Sequence, residues 1–311
     1  MKLFIHKIFL ASLIVLITLL VVIHLTSYYV KSKEFTAQST TSILLPLDRP
    51  FKYPVLMMGP SHARIFSEKG NHSLVEDILD RKFLNAGKSG HRCSMNEQFF
   101  YLNYLYDRGF EFDTIFYFLS PMYHRVHHVV RASDTFIDEP FRFDFFIDHI
   151  TSGSSNKFER LFFYVQSKFT QEWIQLTPDT LSRDNRKLDA TDFKKLSMIP
   201  ENQELTHNDS LGIIKNNQIL NNTIELAKSN NTFIVFIIPP VLFQQVGHNA
   251  TLSFLNKARD KYGIAYYDLS DSIPDESLYY DLGHLNSDGV ELFTEKYLKN
   301  LLNNSDSTAN E

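Results

Sequence analysis

Short strand-like runs that end in turn residues alternate with amphipathic segments along most of the chain. The runs are Val55–Met58, Lys82–Asn85, Thr114–Leu119, Phe233–Ile238 and Ile264–Leu269. Several are continuously apolar, which is typical of strands buried on both faces of a parallel sheet. The amphipathic segments between them are Leu74–Leu79, Phe99–Tyr106 and Leu252–Tyr262. As crossover helices, these segments complete a three-layer α/β/α fold around a parallel five-stranded sheet.

The first 30 residues are far more apolar than the rest. No Asp, Glu, Lys or Arg occurs from Ile8 to Val30, a length that can span the roughly 30 Å hydrocarbon layer as a helix. The pattern predicts a transmembrane anchor over residues 1–30 and a Pro-punctuated stalk over residues 31–53. A cleaved signal peptide is the alternative, although no small-x-small site follows the run.

This anchor predicts where the remaining residues lie. Lysines flank both ends of the apolar run, so charge does not decide the orientation, and an inside N-terminus is the usual arrangement. The expected protein is therefore single-pass, with its large domain outside the cytoplasm, in the periplasm or at the cell surface.

The alternation stops between about residues 122 and 211. This stretch contains an aromatic run at 141–146, apolar residues at helical spacing over Phe158–Phe169, and then a polar region that reaches Asn208. It predicts a largely helical insertion that shapes an acceptor groove, rests on the membrane or extends the packing. The α/β domain is then expected over residues 54–302, with a disordered tail at 303–311.

Composition narrows the possible partners. The net charge is −5 and no long basic run occurs, which argues against a nucleic-acid partner. Cys93 is the only cysteine, so no internal disulfide can form. The 27 Phe and 15 Tyr indicate either thick core packing or an aromatic-lined groove.

Candidate chemistry begins with an acid three residues before a histidine, Asp281 and His284. At that spacing the carboxylate can accept a hydrogen bond from the imidazole Nδ1–H and leave Nε2 as a base. The pair is predicted to lie in a loop just before a terminal helix, for which Asn286 or Ser287 is the predicted N-cap. The alternative is an acid that caps its own turn beside a surface histidine.

A candidate nucleophile follows the first strand. Ser61 comes after Gly59-Pro60, where the chain is predicted to turn from strand to helix. Such a turn exposes a hydroxyl at the carboxyl edge of the sheet and directs helix N–H groups toward it. Ser61 as a plain helix cap is the alternative.

Three blocks of the chain carry a family resemblance: Met58–His62, Leu84–Gly90 and Asp281–Asn286. In order and spacing they resemble the catalytic blocks of the SGNH (GDSL-like) hydrolase superfamily, which has a flavodoxin-like fold. The resemblance implies Ser61 as nucleophile, His284 as base and Asp281 as its orienting acid. It also implies that the backbone N–H groups of Ser61 and Gly90 bind the oxyanion.

One block departs from the family pattern. Where the family has Gly-x-Asn-Asp, this chain has Leu119-Ser120-Pro121, which is similar to the membrane-anchored D-alanyl-transfer proteins of teichoic-acid modification. Ser120 is therefore a candidate third oxyanion donor. Losing one such donor costs on the order of a hundredfold or more in rate.

The resemblance implies a serine-dependent esterase or O-acyltransferase that acts on acyl esters, acetyl above all, of cell-envelope or exported polysaccharide. No cofactor is expected, and envelope-assembly proteins are possible partners. The alternative is a catalytically degenerate glycan-binding or scaffolding protein of the envelope. A third possibility is an adhesion protein built on the insertion, which would leave Ser61 and His284 far apart.

Further residues are candidates for substrate contacts or metal ligands. His62, Arg64, Asn85 and Arg92 lie in or beside the first two blocks and are predicted to bind substrate. The two arginines would bind an anionic group, unless they pair with surface acids. Several histidines could form a metal site, although no acid or cysteine has ligand spacing beside them and no metal is expected. They are His62, His91, His124, His127 and His128.

Overall fold

The computed structural model describes residues 2–47, 51–89, 92–126, 130–152, 156–179, 183–189, 191–192, 205–243 and 245–308. Within these ranges the chain forms an α/β fold around a parallel five-stranded sheet, which confirms the predicted fold class. The sheet order is β2-β1-β3-β4-β5, the flavodoxin-like order.

The five predicted strands form this sheet with small shifts at their ends. They are β1 Lys52–Met58, β2 Phe83–Asn85, β3 Glu111–Phe118, β4 Phe233–Ile238 and β5 Ala265–Asp268. The register pairs Met57 with Asn85 and Met58 with Tyr117. Strand β1 lies between β2 and β3, and the three strands end near the same edge of the sheet. A separate antiparallel pair, β6 Tyr279–Asp281 and β7 His284–Leu285, lies near the C-terminus.

Helices cover both faces of the sheet. The α-helices whose bounds lie within the described residues are α1 Lys2–Lys31, α2 Ser61–Arg64, α3 Asn71–Leu79, α4 Met95–Asp107, α5 Pro121–Arg125, α6 Phe143–Thr151, α7 Lys157–Ser167, α8 Gln171–Ile174, α9 His207–Ser229, α10 His248–Tyr262, α11 Ser287–Phe293 and α12 Lys299–Thr308. One-turn 3₁₀ helices span Ala132–Asp134 and Glu276–Leu278, and a π-helical turn spans Thr294–Leu298. The predicted crossover helices correspond to α3, α4 and α10.

Alternate strand residues divide between two cores. Leu56 and Phe236 face the core formed with α4, α9 and α10, whereas Val55, Phe116 and Val235 face the core formed with α3 and α11. Because side chains alternate across a strand, both faces of the central strands are buried. This explains why the strands show continuous apolar runs instead of alternation.

Capping side chains fix where several helices begin. Ser94 and Glu97 form a capping box at α4, and Thr206 and Asp209 form another at α9. Asn286 caps α11 by accepting a hydrogen bond from the Gly289 N–H at 3.0 Å, which confirms the N-cap predicted there.

Helix α1 is long and apolar enough to span a membrane, and its composition fits either a membrane anchor or a signal sequence. Most of it is exposed, but Ile23, Ser27 and Val30 are buried against the domain. In the predicted stalk, Ile43, Leu44 and Leu47 are buried as well, so this segment packs on the domain. The predicted domain boundaries remain predictions.

The described parts of the insertion region are mostly helical, with α5, α6, α7, α8 and the start of α9. Phe145, Leu161 and Tyr164 from α6 and α7 join the core that contains α4. Residues 193–204 of the insertion and 309–311 of the predicted tail lie outside the described residues.

Candidate active site

Ser61 is the first residue of α2, directly after the turn that ends β1. Gly59 has φ of 134°, and a Cβ there would lie 2.5 Å from the Phe118 carbonyl oxygen, so the turn requires glycine. The side chain of Ser61 does not cap the helix. Its backbone N–H donates to no acceptor among the described residues, as expected for the first turn of a helix. Both the hydroxyl and this N–H are therefore available at the sheet edge.

Asp281 and His284 lie opposite each other on β6 and β7. The His284 Nδ1 is 2.8 Å from Asp281 Oδ1 and 2.9 Å from Oδ2. The Gly283 N–H also donates to Oδ1, at 2.9 Å. Burial acts to raise the pKa of Asp281. The hydrogen bond and charge of the His284 side chain, together with the backbone N–H groups of Gly283 and His284, outweigh burial, so the pKa lies below its usual range. The acid therefore remains ionised beside the imidazole.

Ser61 and His284 are 223 residues apart in sequence and meet at the end of the sheet, with Ser61 Oγ 2.6 Å from His284 Nε2. Since the carboxylate can only accept a hydrogen bond, it favours the tautomer with the proton on Nδ1. Nε2 then accepts from the Ser61 hydroxyl. This is the arrangement in which an imidazole can remove a proton from a serine nucleophile.

Two rings stack on the His284 imidazole. His62 lies on one side with ring centroids 4.8 Å apart, and the Tyr280 ring lies 5.5 Å away at an interplanar angle of 13°. His62 is buried, its Nε2 lies against the Gly283 backbone, and neither of its nitrogens makes a hydrogen bond of good geometry to a described residue. Burial, and then the nearby His284, lower the pKa of His62 to about 3, so its ring is neutral.

Asn85 ties the loop after β2 to the nucleophile helix. Its Nδ2 donates to the Ala63 carbonyl and its Oδ1 accepts from the Gly87 N–H, both at 2.8 Å. Gly87 packs so closely on α2 that a Cβ would lie 2.6 Å from the Arg64 nitrogen. The Asn85 amide therefore holds the loop in this structure, and its predicted contact with substrate stays a prediction.

The two further oxyanion donors predicted from the sequence have different outcomes. Gly90 lies outside the described residues. Ser120 is buried at the end of β3, where its hydroxyl donates to Gln245 Oε1 at 2.7 Å. An oxyanion role for Ser120 would require that hydrogen bond to break, so this role also stays a prediction.

The two predicted substrate arginines lie together beside one cavity of about 220 Å³. Arg64 is buried and donates to the Glu68 carboxylate at 3.3 Å and to the Thr40 carbonyl. Arg92 is half-buried and has no ion pair with any described residue. The Asp138 carboxylate lines the same cavity and interacts electrostatically with Arg92, and the predicted substrate contacts of both arginines stay predictions.

Of the histidines considered for a metal site, His124 is buried, with Nδ1 2.8 Å from Thr251 Oγ1 and Nε2 2.7 Å from Asn217 Oδ1. Both of its nitrogens are therefore engaged within the protein. Burial lowers the pKa of His124 to about 4. His91, His127 and His128 lie outside the described residues.

Comparisons with known proteins add a fold likeness. No family model and no curated protein matches the chain. Among solved structures, a crystal structure from Bacteroides fragilis NCTC 9343, described as a "putative acylhydrolase", matches with 10% sequence identity and a TM-score of 0.44. The match covers 83% of this chain and 91% of that one. The residue geometry described above, and not this likeness, supports the proposals that follow.

Sequence reasoning missed Tyr280, Gln245 and the stack of His62 on His284, and the predicted contact of His62 with substrate stays a prediction. The signal that could have found Tyr280 is its position directly before Asp281 in the sequence. Gln245 has no such signal, because its contact with Ser120 joins residues 125 positions apart.

Proposed function

We propose that this protein is a serine-dependent esterase or O-acyltransferase that acts on acyl esters, with acetyl the first candidate, of cell-envelope or exported polysaccharide. The observation that carries the proposal is the continuous hydrogen-bonded chain from Ser61 Oγ through His284 to Asp281. Three groups of the right types in the right order are what acyl transfer through a serine requires.

In the proposed reaction, Ser61 Oγ attacks the ester carbonyl while His284 Nε2 accepts the hydroxyl proton. Asp281 stabilises the resulting imidazolium, and the Ser61 N–H donates to the oxyanion. His284 then protonates the departing alkoxide, which leaves an acyl group on Ser61. Water attacks this acyl-enzyme in an esterase, and a sugar hydroxyl attacks it in an O-acyltransferase.

The N-terminal helix supports the proposed location. Its length and composition fit a membrane anchor, and the buried residues in its last turns place the domain against its end. An anchored domain outside the cytoplasm would meet envelope or exported glycans. A reporter fused to the C-terminus tests this placement, since reporter activity in the cytoplasm would contradict it.

A second candidate function is a glycan-binding or scaffolding protein of the cell envelope. The hydrogen bond from Ser120 to Gln245 favours it, because the hydroxyl that could replace the family's third oxyanion donor is directed elsewhere. An intact Ser61–His284–Asp281 chain opposes it.

Labelling with a fluorophosphonate serine probe tests the two functions against each other. We expect the parent to be labelled and Ser61→Ala and His284→Ala to be unlabelled, with all three proteins folded by circular dichroism. A folded parent that is not labelled would contradict the esterase and transferase proposal and favour the binding protein. Ser67→Ala is a matched control, because Ser67 is a buried serine that contacts His72 and not His284.

A further inference from the structure

Helices α6 and α7 pack on each other and expose large apolar side chains. Phe143 on α6 and Phe158 and Phe162 on α7 are 61%, 73% and 61% exposed. Ile147 on α6 and Phe169, just beyond α7, are 39% and 41% exposed. Single apolar residues on a surface are common, but a group of them on two neighbouring helices marks a contact with a partner or a membrane. We call these residues the apolar face.

The apolar face occupies one side of each helix. Phe143 and Ile147 are one turn apart in α6 and share a face of that helix, as Phe158 and Phe162 do in α7. Tyr164, two residues after Phe162 and therefore on the opposite side of α7, is fully buried. The side chains of the apolar face therefore point away from the core.

The acids of α6 lie to one side of this face. Asp144 and Asp148 each follow a residue of the apolar face by one position, which places them about 100° further round the helix. Arg108, just after α4, donates to both carboxylates at 2.7 Å. Helix α6 is therefore amphipathic, with its acids paired to the domain and its apolar side left open, as in helices that lie on membranes.

The last turns of α1 lie beside these two helices. The Phe141 N–H, just before α6, donates to the Ser27 hydroxyl at 2.9 Å. The Phe141 ring contacts Phe146 of α6 and Tyr164 of α7, with ring centroids 6.0 and 5.8 Å away. Ile23, one turn before Ser27, is buried in the core that contains Tyr164. The apolar face therefore belongs to the part of the domain that α1 meets.

The apolar length of α1 brings a bilayer to this level. The candidate membrane span begins at Phe4, and about 20 residues of helix cross the roughly 30 Å hydrocarbon layer. Counted from Phe4, the layer ends close to Ile23, one turn before Ser27. Tyr28 and Tyr29 follow and are exposed, which is typical of aromatic residues at a membrane surface. If α1 spans the bilayer, as proposed above, α6 and α7 lie at the lipid surface.

We propose that the apolar face inserts into the interfacial layer of the bilayer that α1 spans, with Phe143, Phe158 and Phe162 among the lipid chains. A bilayer is the apolar phase that α1 itself brings to this surface. The docking rests on the membrane placement in the proposed function and not on the reaction at Ser61. Contacts through α1, α6 and α7 would hold the domain in one orientation on the membrane, and the candidate active site at a fixed height above it.

Quenching of tryptophan emission by brominated lipid tests the docking in the full chain. Trp173 is the only tryptophan, so a Trp173→Phe background reports on one introduced tryptophan at a time. Phe158→Trp and Phe162→Trp are reconstituted in phosphatidylcholine vesicles, with and without bromine on the acyl chains near the headgroup. We expect bromine to cause the same fractional loss of emission in both as in Tyr28→Trp, which reports on the interface.

Two further variants are the controls. Ile14→Trp reports on the middle of α1, and Leu292→Trp reports on an exposed apolar residue of α11, which packs on the other core. We expect quenching of the first and none of the second. Thermal unfolding establishes that each variant is folded. If Trp173→Phe unfolds, the same substitutions are made with Trp173 in place and its own quenching is subtracted.

Several outcomes would overturn the proposal. Quenching of Ile14→Trp without quenching of Phe158→Trp and Phe162→Trp would show an anchored domain that stands clear of the lipid. Equal quenching of Leu292→Trp would show that the domain has no preferred side. Emission of Phe162→Trp that changes with the protein-to-lipid ratio and not with bromine would assign the face to a second copy of the chain.

The same vesicles separate this inference from the proposed function. Absence of quenching in Ile14→Trp would contradict the proposed membrane placement, and the docking with it. Hydrolysis of an aryl acetate by a parent whose apolar face is not quenched would overturn the docking and leave the esterase supported. Quenching of the apolar face without hydrolysis would support the docking and contradict the esterase.

Discussion

The hydrogen-bonded chain at Ser61 and the ion cluster around Lys88 both join polar groups from distant parts of the sequence, but they differ in exposure and in unused bonding capacity. Glu139 is fully buried and accepts hydrogen bonds from Lys88, Tyr101 and Ser42, as well as from two backbone N–H groups. In the candidate active site, the side chains of His284 and Asp281 retain 21% and 38% of their exposure.

This difference indicates different roles for the two centres. A fully satisfied buried network fixes the fold, because each group would lose its partners if the structure moved. The Ser61 chain instead leaves a hydroxyl and a backbone N–H at an accessible edge, where a substrate can approach. Substitutions in the Ser61–His284–Asp281 chain should change activity. Substitutions in the Lys88 cluster should change stability.

The largest expected effect is on activity. Ser61→Ala should lower the rate of ester hydrolysis about 10⁴-fold or more, because it removes the nucleophile of the acyl transfer. Its thermal unfolding temperature should stay close to that of the parent, since the change removes one hydroxyl near the surface. Rates with an aryl acetate and a thermal melt measure both quantities. Parent-like hydrolysis by the variant would contradict the role of Ser61.

The next largest effect is on stability. Glu139→Leu should destabilise the fold by about 3–5 kcal/mol, because the buried donors of Ser42, Tyr101 and two backbone N–H groups lose their acceptor and Lys88 keeps only the part-buried Asp138. Denaturant unfolding in neutral detergent measures this cost, with the exposed Glu295→Leu as control. Probe labelling per folded molecule should not change. A stable Glu139→Leu protein would show that the cluster does not hold the fold.

A smaller effect concerns acid pH and His62. The pKa of His62 in the folded protein is about 3, below its ordinary value of 6.5. The unfolded chain therefore binds more protons between these values, and stability falls as the pH falls below 6.5. At pH 5 this costs about 2 kcal/mol for His62. His62→Phe keeps a ring on His284 and should reduce the difference in unfolding free energy between pH 7 and pH 5. An unchanged difference would contradict a neutral, buried His62.

His62 also allows a test of positioning. His62→Ala removes the stacked ring and should lower kcat on an aryl acetate about tenfold, whereas His62→Phe should restore most of it. KM should change little in both variants if the ring orients His284 and does not touch substrate. A rise in KM with unchanged kcat would instead support the substrate contact predicted from the sequence.

The smallest effect is the loss, at acid pH, of the contribution of Asp281 to stability. Its folded pKa is depressed, so its stabilising contribution is present above the ordinary value of 3.8 and is lost as the pH falls through the lower folded value. The stability difference between the parent and Asp281→Asn should therefore be constant from pH 7 to about pH 5 and shrink below pH 4. A difference that persists at the lowest pH would indicate that the carboxylate charge is not its source.

The sequence was sufficient for the features that local patterns encode. Short strand-like runs, several of them continuously apolar, predicted all five strands of the sheet, and Asn286 was one of two residues predicted to begin α11. The Asp281–His284 spacing predicted a hydrogen-bonded pair, although the structure places the two on paired strands and not in a simple loop. Strands of two and three residues, β7 and β6, are too short for periodicity to reveal.

Features that depend on tertiary contacts could not be predicted. The Lys88 cluster joins residues from four separate segments, and no local spacing relates Ser42, Tyr101 and Glu139. The stack of His62 on His284 likewise depends on how α2 packs against β7. In both cases the polar partner is selected by the fold, and sequence separation hides the contact.

Trapping the acyl-enzyme tests the central claim most directly. The parent is mixed with an aryl acetate, quenched in acid within the first turnovers, digested and mapped by mass spectrometry, beside Ser61→Ala and His284→Ala. The account predicts an acetyl group on the peptide that contains Ser61 in the parent and none on that peptide in either variant. Turnover with no acetyl on Ser61, or the same acetylation in His284→Ala, would contradict a serine activated by His284.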